Sequence, residues 1–453
     1  MEATTAVLAR IESLDPVLGA YCHLDPEGVR AAARASEARW AAGAAGALDG
    51  VPVAVKDVFL TRGWPTLRGS WLVDADGPWD DDAPAVAALR RAGAVLVGKT
   101  TTPELGWKGV TDSPRHGVTT NPWDTARTAG GSSGGSSAAL VAGMATLALG
   151  TDGGGSIRIP AAFCGHPGLK PTAGRVPLWP PSPYGALAHA GPMARTVADL
   201  ALLADVLGVP DPRDGTCLPA SAAGLAPGSG AGVAGLRIAW VPGLARGALD
   251  AEVGALASGA AAVLAELGAR VEEVEPPFAD PVGDYETLWF AGAAAACRGA
   301  TAEQRARMDP GLVRALATVE GLGALDYLAA CQRRLGLAAT MGRFHEAWDL
   351  LATPTVPVAA FAAGSDVPPG WPEDRWPTWS PCTYPFNLTG QPAVSVPCGL
   401  TTAGLPAGLQ LVGPRFADAL VLRAAAAYEA THPLDRQPPP LDAAVGGLAS
   451  ERS

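Results

Sequence analysis

Short apolar runs alternate with helical patterns along most of this chain. Residues 51–55 form an apolar run that ends at Lys56, which is typical of a buried strand. The segment 81–84 carries the acidic residues and the proline of a helix N-terminus, and Gly93 ends that predicted helix. Residues 94–97 are apolar and rich in valine, which predicts a further strand. Such alternation indicates an α/β fold.

The same alternation continues to the end of the chain. Residues 136–149 are rich in small residues and predict a helix that packs closely against a sheet. Between 211 and 235 the composition shifts to Pro, Gly, Ser and Ala, which indicates a loop-rich connection. Helices are predicted at 251–267 and over most of 286–348. Further strands, which we expect to join the same sheet, are predicted at 236–241, 270–274, 350–353, 393–396 and 409–412.

Composition and charge exclude several classes of protein. Of the 453 residues, 48% are hydrophobic and 17% are charged, so the chain can bury a large core and is not a disordered protein. The formal net charge is −11, and no dense run of Lys and Arg occurs, which argues against a nucleic-acid-binding surface. No uncharged apolar run of about 18 residues suggests a membrane span.

The expected compartment is the cytoplasm. Residues 1–20 lack the basic start and the continuous apolar stretch of a secretory signal. The seven cysteines are scattered and include no CxxC pair, so they indicate neither a disulfide framework nor a zinc site.

Two patterns match well-known motifs, and their context rejects both. Residues 93–100 fit the phosphate-binding pattern GxxxxGK[ST], whose variable positions form a loop between a strand and a helix. Here those positions are a predicted strand, which cannot wrap a phosphate. Residues 131–135 fit GxSxG, the nucleophile elbow that follows a buried apolar strand. The preceding residues, 124–130, are mostly polar and predict a loop instead.

Two segments rich in Gly and Ser carry the candidate chemistry. The first is Gly130–Ser137, and the second, Gly150–Pro160, places three glycines before Ser156. A flexible linker is the alternative, but a linker does not normally enclose an apolar helix. Without Cβ atoms, backbone N–H groups can converge on one point, as a tetrahedral oxyanion requires. Ser156 is therefore a candidate nucleophile, with an oxyanion hole expected at Gly153, Gly154 and Gly155.

A serine nucleophile needs a base, because an ordinary hydroxyl is weakly nucleophilic at neutral pH. The six histidines show no distinctive spacing, and surface or core roles are more typical for them. Lys56 is the better candidate, because burial at the end of an apolar strand lowers the pKa of its amine toward the neutral form of a base. A solvated charge at the strand end is the alternative interpretation.

Further short segments contribute to a resemblance that the two Gly/Ser segments also carry. They are Gly50–Asp57, Gly98–Thr100, Phe163–Gly165, Gly168–Thr172, Gly191–Thr196, Thr353–Thr355, Asn387–Pro392 and Gly408–Gly413. Together with the Gly/Ser segments they closely resemble the amidase signature family. The likeness runs from about residue 45 to 430 and is weakest across 205–350.

The resemblance implies a Ser-cisSer-Lys triad. The nucleophile is Ser156, the general base is Lys56, and the bridging serine, held by a cis peptide bond, is Ser132. Ser133 is the adjacent alternative for the bridge. In the implied mechanism neutral Lys56 draws a proton through Ser132 as Ser156 attacks an amide carbonyl, and water later hydrolyses the acyl-enzyme. No metal or organic cofactor is implied.

The family fold implied here is a large mixed β-sheet covered on both faces by helices. We therefore predict a single amidase domain over residues 1–453. Its catalytic core would be 45–205, its loop-rich connection 211–235, and its second half, 236–430, would add helices and strands to the same sheet. Asp152 and Arg158 flank the nucleophile and are interpreted as charges that hold the loop.

The implied function is that of a stand-alone amidohydrolase, which cleaves a small or aryl carboxamide to an acid and ammonia or an amine. The chain contains 13 Trp, and we expect some of them to line an apolar substrate pocket. The predicted pocket residues are Trp107, Ser133, Trp379 and Tyr384. The expected partner is a small amide substrate, and no direct nucleic-acid or membrane partner is expected. Formation of a homodimer is left as an open alternative.

Two alternatives remain. One is the glutaminase subunit of a tRNA-dependent amidotransferase, which resembles the chain across the same core and would supply ammonia to a partner subunit. The Pro- and Trp-rich stretch 368–385 shows no evident acid-amide recognition set, which argues against it. The other is a catalytically silent scaffold of the same fold. The presence of Lys56, Ser132 and Ser156 argues against that one.

Overall fold

The computed structural model describes residues 1–220, 224–225, 232–246, 248–434, 437–439 and 441. The helices are α1 (Glu2–Leu18), α2 (Pro26–Ala41), α3 (Pro84–Arg91), α4 (Gly134–Val141), α5 (Arg158–Cys164), α6 (Val197–Leu207), α7 (Ala251–Glu266), α8 (Val282–Ala296), α9 (Ala302–Ala306), α10 (Pro310–Ala317), α11 (Ala324–Ala347), α12 (Pro385–Thr389) and α13 (Asp418–Thr431). The strands are β1 (Tyr21–Leu24), β2 (Pro52–Lys56), β3 (Val95–Thr100), β4 (Asp112–Ser113), β5 (Gly117–Val118), β6 (Thr120–Asn121), β7 (Asp124–Thr128), β8 (Leu147–Asp152), β9 (Gly168–Lys170), β10 (His189–Ala194), β11 (Arg237–Trp240), β12 (Arg270–Glu273), β13 (Leu350–Pro354), β14 (Ala393–Leu400) and β15 (Pro406–Val412).

Within the described residues, eleven strands form one sheet in the order β1-β3-β2-β8-β10-β9-β14-β15-β13-β11-β12. The neighbours β3, β2 and β8 run parallel, and so do β13, β11 and β12. From β8 across to β13 the neighbours are antiparallel, and β1 is antiparallel to β3. Strands from both halves of the chain therefore share one mixed sheet.

Helices cover both faces of this sheet, because successive residues of a strand point to opposite sides. Val53 and Val55 of β2 belong to a core that includes residues of α3, α6, α7 and α13. Ala54, between them, belongs to a core that includes residues of α1, α2 and α4. In α4 the fully buried Ala138 and Ala139 allow close packing on the sheet. The predicted α/β fold with a mixed sheet between helices is confirmed.

One predicted helix is wrong in its second half. The helix expected over 136–149 is α4, which ends at Val141, and residues 147–152 form the buried strand β8. Gly143 adopts φ 70°, a left-handed conformation suited to glycine, in the turn between the two elements. Short apolar runs do not distinguish a buried strand from a helix, so the sequence pattern fitted both.

Neither of the two rejected motifs has the structural context that its chemistry requires. The residues of GxxxxGK[ST] form β3, as expected from the apolar run. The segment before GxSxG is not the predicted loop, since residues 124–128 form β7. However, β7 pairs with β6 in a separate two-stranded sheet and is at least partly exposed over most of its length, so it is not the buried strand of a nucleophile elbow.

The predicted connection at 211–235 falls partly outside the described residues, at 221–223 and 226–231. Its described parts, 211–220, 224–225 and 232–235, contain turns and bends but no helix or strand. No helix in the described part of the chain is both long and apolar enough to cross a membrane.

Candidate active site

The parallel pairing of β2 and β8 brings the predicted triad together. Lys56 is the last residue of β2, and Ser156 lies just after β8. Because parallel neighbours end at the same edge of a sheet, both residues reach one edge. Ser132 and Ser133 lie immediately before α4, which packs against β2 and β8, so they reach the same place.

Lys56 is completely buried among hydroxyl groups. Its Nζ lies 2.7 Å from the Oγ of Ser132, 3.0 Å from the Oγ of Ser133 and 2.8 Å from the Oγ1 of Thr151. Burial lowers the pKa of Lys56 well below its ordinary value, and the negative charge of Asp152 opposes that shift only in part. The environment therefore favours the neutral amine that a general base needs.

Ser132 and Ser133 differ in how they are held. The Gly131–Ser132 peptide bond is cis, which is the conformation that the resemblance implies for the bridging serine. The Ser132 Oγ contacts Lys56, and Ser132 also lines a cavity together with Ser156. The Ser133 Oγ donates to the Thr151 carbonyl at 3.1 Å and accepts from the Thr151 N–H at 3.3 Å. Ser133 is thus tied to β8, whereas Ser132 faces the cavity.

A buried ion pair shapes the loop that carries Ser156. The Arg158 Nη2 lies 2.8 Å from the Asp152 Oδ1, and both side chains are inaccessible to solvent. Asp152 also accepts the N–H groups of Gly155 at 2.8 Å and Ile157 at 3.2 Å. Burial alone would raise the pKa of Asp152, but the charge and hydrogen bonds of Arg158 hold it far below its usual range. These charges hold the loop, as the sequence suggested.

The backbone amides at and before the candidate nucleophile Ser156 are not equivalent. The Gly155 N–H is already bonded to Asp152, so the prediction of Gly155 as an oxyanion-hole residue is corrected. No described residue accepts a hydrogen bond from the N–H groups of Gly153, Gly154 or Ser156. These three amides are therefore the donors available to an oxyanion.

Close packing explains why glycines occupy these positions. A Cβ atom on Gly153 would lie 2.3 Å from the Trp289 ring, and one on Gly154 would lie 2.1 Å from the Tyr285 Oη. Gly155 adopts φ 125°, and a Cβ there would lie 2.6 Å from the Thr383 Oγ1. The side chains of Trp289 and Tyr285 therefore pack closely against this loop. The space at its glycine positions is too small for a larger residue.

A cavity of about 110 Å³ opens beside Ser132 and Ser156. Three larger cavities among the described residues, two of about 380 Å³ and one of about 560 Å³, are not lined by either serine, so size alone does not identify the site. The aromatic residues and the cationic residue that line the catalytic cavity are Phe59, Trp179, Tyr184, Trp289 and Arg68.

The predicted pocket residues Trp107, Trp379 and Tyr384 do not line this cavity, which corrects their assignment. All three belong to a buried aromatic core. Trp379 stacks on Phe163 with ring centroids 6.0 Å apart, and the Tyr384 Oη donates to Asp280 at 2.6 Å. Sequence reasoning placed them in loops near the site, but their rings are buried in the protein. Ser133, the fourth predicted pocket residue, contacts Lys56 rather than the cavity.

Sequence reasoning did not identify Phe59, Arg68, Tyr184 or Trp289 as pocket residues. Trp289 lies in α8, within the stretch 286–348 for which the sequence predicted only mostly helical structure. Its Nε1 donates to the Trp107 carbonyl at 2.8 Å, so Trp107 supports the wall that Trp289 forms. The available signal was the proline-rich segment 179–184, whose two aromatic residues both reach the cavity.

One group of side chains has the composition of a metal site. The ligand atoms of Cys22, Asp57 and His116 lie within 4.8 Å of one another. However, the Lys99 Nζ lies 3.3 Å from the Asp57 Oδ1, so that carboxylate already has a cation beside it. The geometry therefore fits a buried ion pair better than a metal centre.

Comparisons with known proteins agree with this geometry. The Amidase family model matches residues 2–422. An acylamidase from Rhodococcus erythropolis is 38% identical over 447 residues, which cover 96% of this chain and 93% of that protein. One subunit of the glutamyl-tRNA(Gln) amidotransferase from Chloroflexus aggregans is 38% identical over 465 residues, which cover 95% of this chain and 92% of that protein.

The fold is also similar to solved structures. The crystal structure of a bacterial aryl acylamidase of the amidase signature enzymes superposes with a TM-score of 0.87 at 31% identity, covering 95% of this chain and 93% of that chain. The family model, the two relatives and the solved structure each match nearly the whole chain, and all of them indicate the same family. The chain belongs to the amidase signature family and is an amide-hydrolysing enzyme.

Proposed function

We propose that this enzyme hydrolyses a small or aryl carboxamide through an acyl-enzyme formed on Ser156. The observation that carries the proposal is the buried Lys56, whose Nζ lies 2.7 Å from the Oγ of Ser132 in a site whose cavity also reaches Ser156. A buried amine surrounded by hydroxyl groups is a base poised to move a proton through one of them.

In this mechanism Ser156 attacks the amide carbonyl while its proton passes to Ser132 and the proton of Ser132 passes to neutral Lys56. The tetrahedral oxyanion accepts hydrogen bonds from the free amides of the loop, each of which typically stabilises the transition state by about 3 to 4 kcal/mol. The proton then returns through Ser132 to the leaving nitrogen, and ammonia or an amine departs. Water enters, is deprotonated by the same relay, and releases the acid.

The residues that line the cavity favour a substrate with an aryl or apolar acyl group. Trp179, Tyr184 and Trp289 all line the cavity, and the stacked rings of Tyr184 and Trp289 are 3.7 Å apart. Aromatic walls favour flat apolar groups over an aliphatic amino acid. Two of the similar proteins, an acylamidase and an aryl acylamidase, carry names that agree with such a substrate.

A second candidate is the glutaminase subunit of an amidotransferase. The relative from Chloroflexus aggregans matches the chain at the same 38% identity as the acylamidase, which is the observation in its favour. In that case glutamine would be the amide substrate and a partner subunit would use the ammonia.

The experiment measures ammonia and acid release from aliphatic amides, aryl amides, anilides and glutamine. It uses the parent enzyme, Ser156→Ala, and Ser13→Ala as a control at an exposed serine of α1. Turnover of an aryl or aliphatic amide that survives in the control and disappears in Ser156→Ala supports the proposal. Activity on glutamine alone indicates the glutaminase function instead, and a fully active Ser156→Ala contradicts the mechanism.

We further propose a cytoplasmic location. The seven cysteines are all unpaired thiols, which agrees with a reducing compartment. Cell fractionation tests the location.

A homodimer remains a prediction. Light scattering of the purified protein tests it.

A further inference from the structure

Arg68 lines the catalytic cavity and has no hydrogen-bonding or ion-pairing partner in the described part of the chain. Arg68 lies in the loop between β2 and α3 and is partly buried in the cavity wall. Among the described residues, none forms a salt bridge or a hydrogen bond with its guanidinium. A guanidinium keeps its charge in proteins and offers five N–H donors, so a partly buried guanidinium without a protein partner is available to bind an anionic ligand in the cavity.

The nearby carboxylates already have other partners. Asp57 pairs with Lys99 at 3.3 Å, and Asp152, the other charged residue of the cavity wall, pairs with Arg158 at 2.8 Å. Burial lowers the pKa of Arg68, while the charge of Asp57 opposes that effect. The cavity therefore presents one positive charge that the protein itself does not neutralise by a direct contact.

The backbone holds Arg68 in an unusual conformation. Its φ is 55°, in the left-handed region that residues other than glycine rarely adopt. Leu105, also a residue of the cavity wall, has φ 54°, and its N–H donates to the Arg68 carbonyl at 2.7 Å. Such conformations persist where the surrounding structure enforces them, and they cluster at ligand-binding positions.

We propose that Arg68 makes the enzyme select amides that also carry a carboxylate, bound by the guanidinium while aromatic walls hold the body of the substrate. This inference rests on the proposed function, whose catalytic machinery it leaves unchanged. A planar guanidinium matches a carboxylate through two parallel hydrogen bonds, which gives both affinity and orientation. A fixed carboxylate at one end of a flat substrate would place the amide carbonyl at the other end toward Ser156.

The test uses a matched pair of substrates, 4-carbamoylbenzoate and 4-methylbenzamide, with the 3-substituted isomers as a second pair. Each molecule consumes one water, and the first yields terephthalate and ammonium. We compare the parent enzyme with Arg68→Gln and Arg68→Lys. Arg62→Gln is the control, because Arg62 lies in the same loop but is 67% exposed and does not line the cavity.

The expected result is a parent enzyme that prefers the carboxylate member of a pair. In Arg68→Gln the ratio of the two kcat/KM values falls about 10- to 100-fold, as the loss of a charge-assisted hydrogen bond predicts. Arg68→Lys keeps part of the preference, and Arg62→Gln keeps all of it. If Arg68→Gln folds poorly, inhibition of the parent enzyme by 4-acetylbenzoate, which should exceed inhibition by the neutral 4-methylacetophenone, measures the same preference.

Three outcomes overturn the inference. They are a parent enzyme that hydrolyses the neutral member equally well, an Arg68→Gln enzyme that loses both activities in equal proportion, and equal inhibition by the charged and the neutral ketone. The failure of the proposed function is distinct, because then the parent enzyme hydrolyses neither member of either pair nor the wider set of amides.

Discussion

Arg158 and Asp152 form a salt bridge of 2.8 Å in which neither side chain is exposed to solvent. The pair lies on both sides of Ser156 in the chain, and Asp152 also binds the amides of Gly155 and Ile157. The guanidinium of Arg158 reaches Asn387 and Gln410 as well, which anchors the loop to the distant half of the chain. The loop that carries Ser156 is therefore held by charge and by hydrogen bonds together.

Removing Arg158 should destabilise the protein strongly. Arg158→Met leaves the Asp152 carboxylate buried without its cation, and breaking such a pair costs about 3 to 5 kcal/mol of unfolding free energy. Chemical denaturation measures the loss. Arg314→Met is the matched control, because the Arg314–Asp374 pair is 3.8 Å long and well exposed, so no measurable change is expected. Equal stability of the two variants would contradict the structural role of the buried pair.

The same pair gives stability a pH dependence. The pKa of Asp152 is lowered in the folded protein, so its contribution is present above the unfolded pKa of about 3.9 and is lost as the pH falls below it. We therefore expect the parent protein to lose unfolding free energy on acidification below about pH 5. An Asp152→Asn variant should be less stable at neutral pH and should show a weaker dependence. Denaturation curves at several pH values measure both.

Ser132 and Ser133 form a matched pair for testing the proton relay. Both hydroxyl groups contact Lys56, but only Ser132 also lines the cavity with Ser156. Ser132→Ala should lower kcat by about 10³-fold or more, because loss of a relay group removes general-base catalysis. Ser133→Ala should lower it by about tenfold at most, by loosening Lys56. The reverse order would assign the bridge to Ser133.

Lys56 should set the acid limb of the activity profile. Since the neutral amine is the base and burial lowers its pKa, kcat/KM should fall about tenfold per pH unit below that pKa and level off above it. Lys56→Ala should lose about 10³-fold or more of kcat. Lys56→Arg, which keeps a permanent charge, should be equally inactive at every pH. An active Lys56→Arg enzyme would show that a cation, not a base, is needed.

Gly154 tests the packing of the aromatic side chains on the oxyanion loop. A Cβ on Gly154 would lie 2.1 Å from the Tyr285 Oη, which is buried without a hydrogen-bond partner among the described residues. We expect Gly154→Ala to displace the loop and lower kcat at least about 10²-fold, the effect of losing one oxyanion donor. Tyr285→Phe alone should keep the protein stable, because it removes an unsatisfied polar group. The double variant should regain little of the activity, because the ring carbon Cζ of residue 285 and the Trp376 ring would each still lie 2.8 Å from that Cβ. Full recovery would instead assign the clash to the Tyr285 oxygen alone.

Local sequence predicted the candidate catalytic residues and several elements. The apolar run ending at Lys56 is β2, and the aspartates before Pro84 precede α3, because strand and helix boundaries depend on neighbouring residues. The motifs around Ser132 and Ser156 were also readable, since each is a short contiguous segment. These elements and motifs together predicted the fold class and the positions proposed for the triad.

Tertiary structure decided what no short segment encodes. The run 136–149 is apolar enough for a helix or a strand, and β8 exists because its neighbours β2 and β10 pair with it. Trp289 reaches Gly153 across the fold, whereas Trp379 turns into the core, although both are tryptophans in segments remote from the nucleophile. The cavity wall is assembled from segments far apart in the chain. Its composition, including the unpaired Arg68, therefore depends on contacts that form only when the whole sheet and its helices have packed.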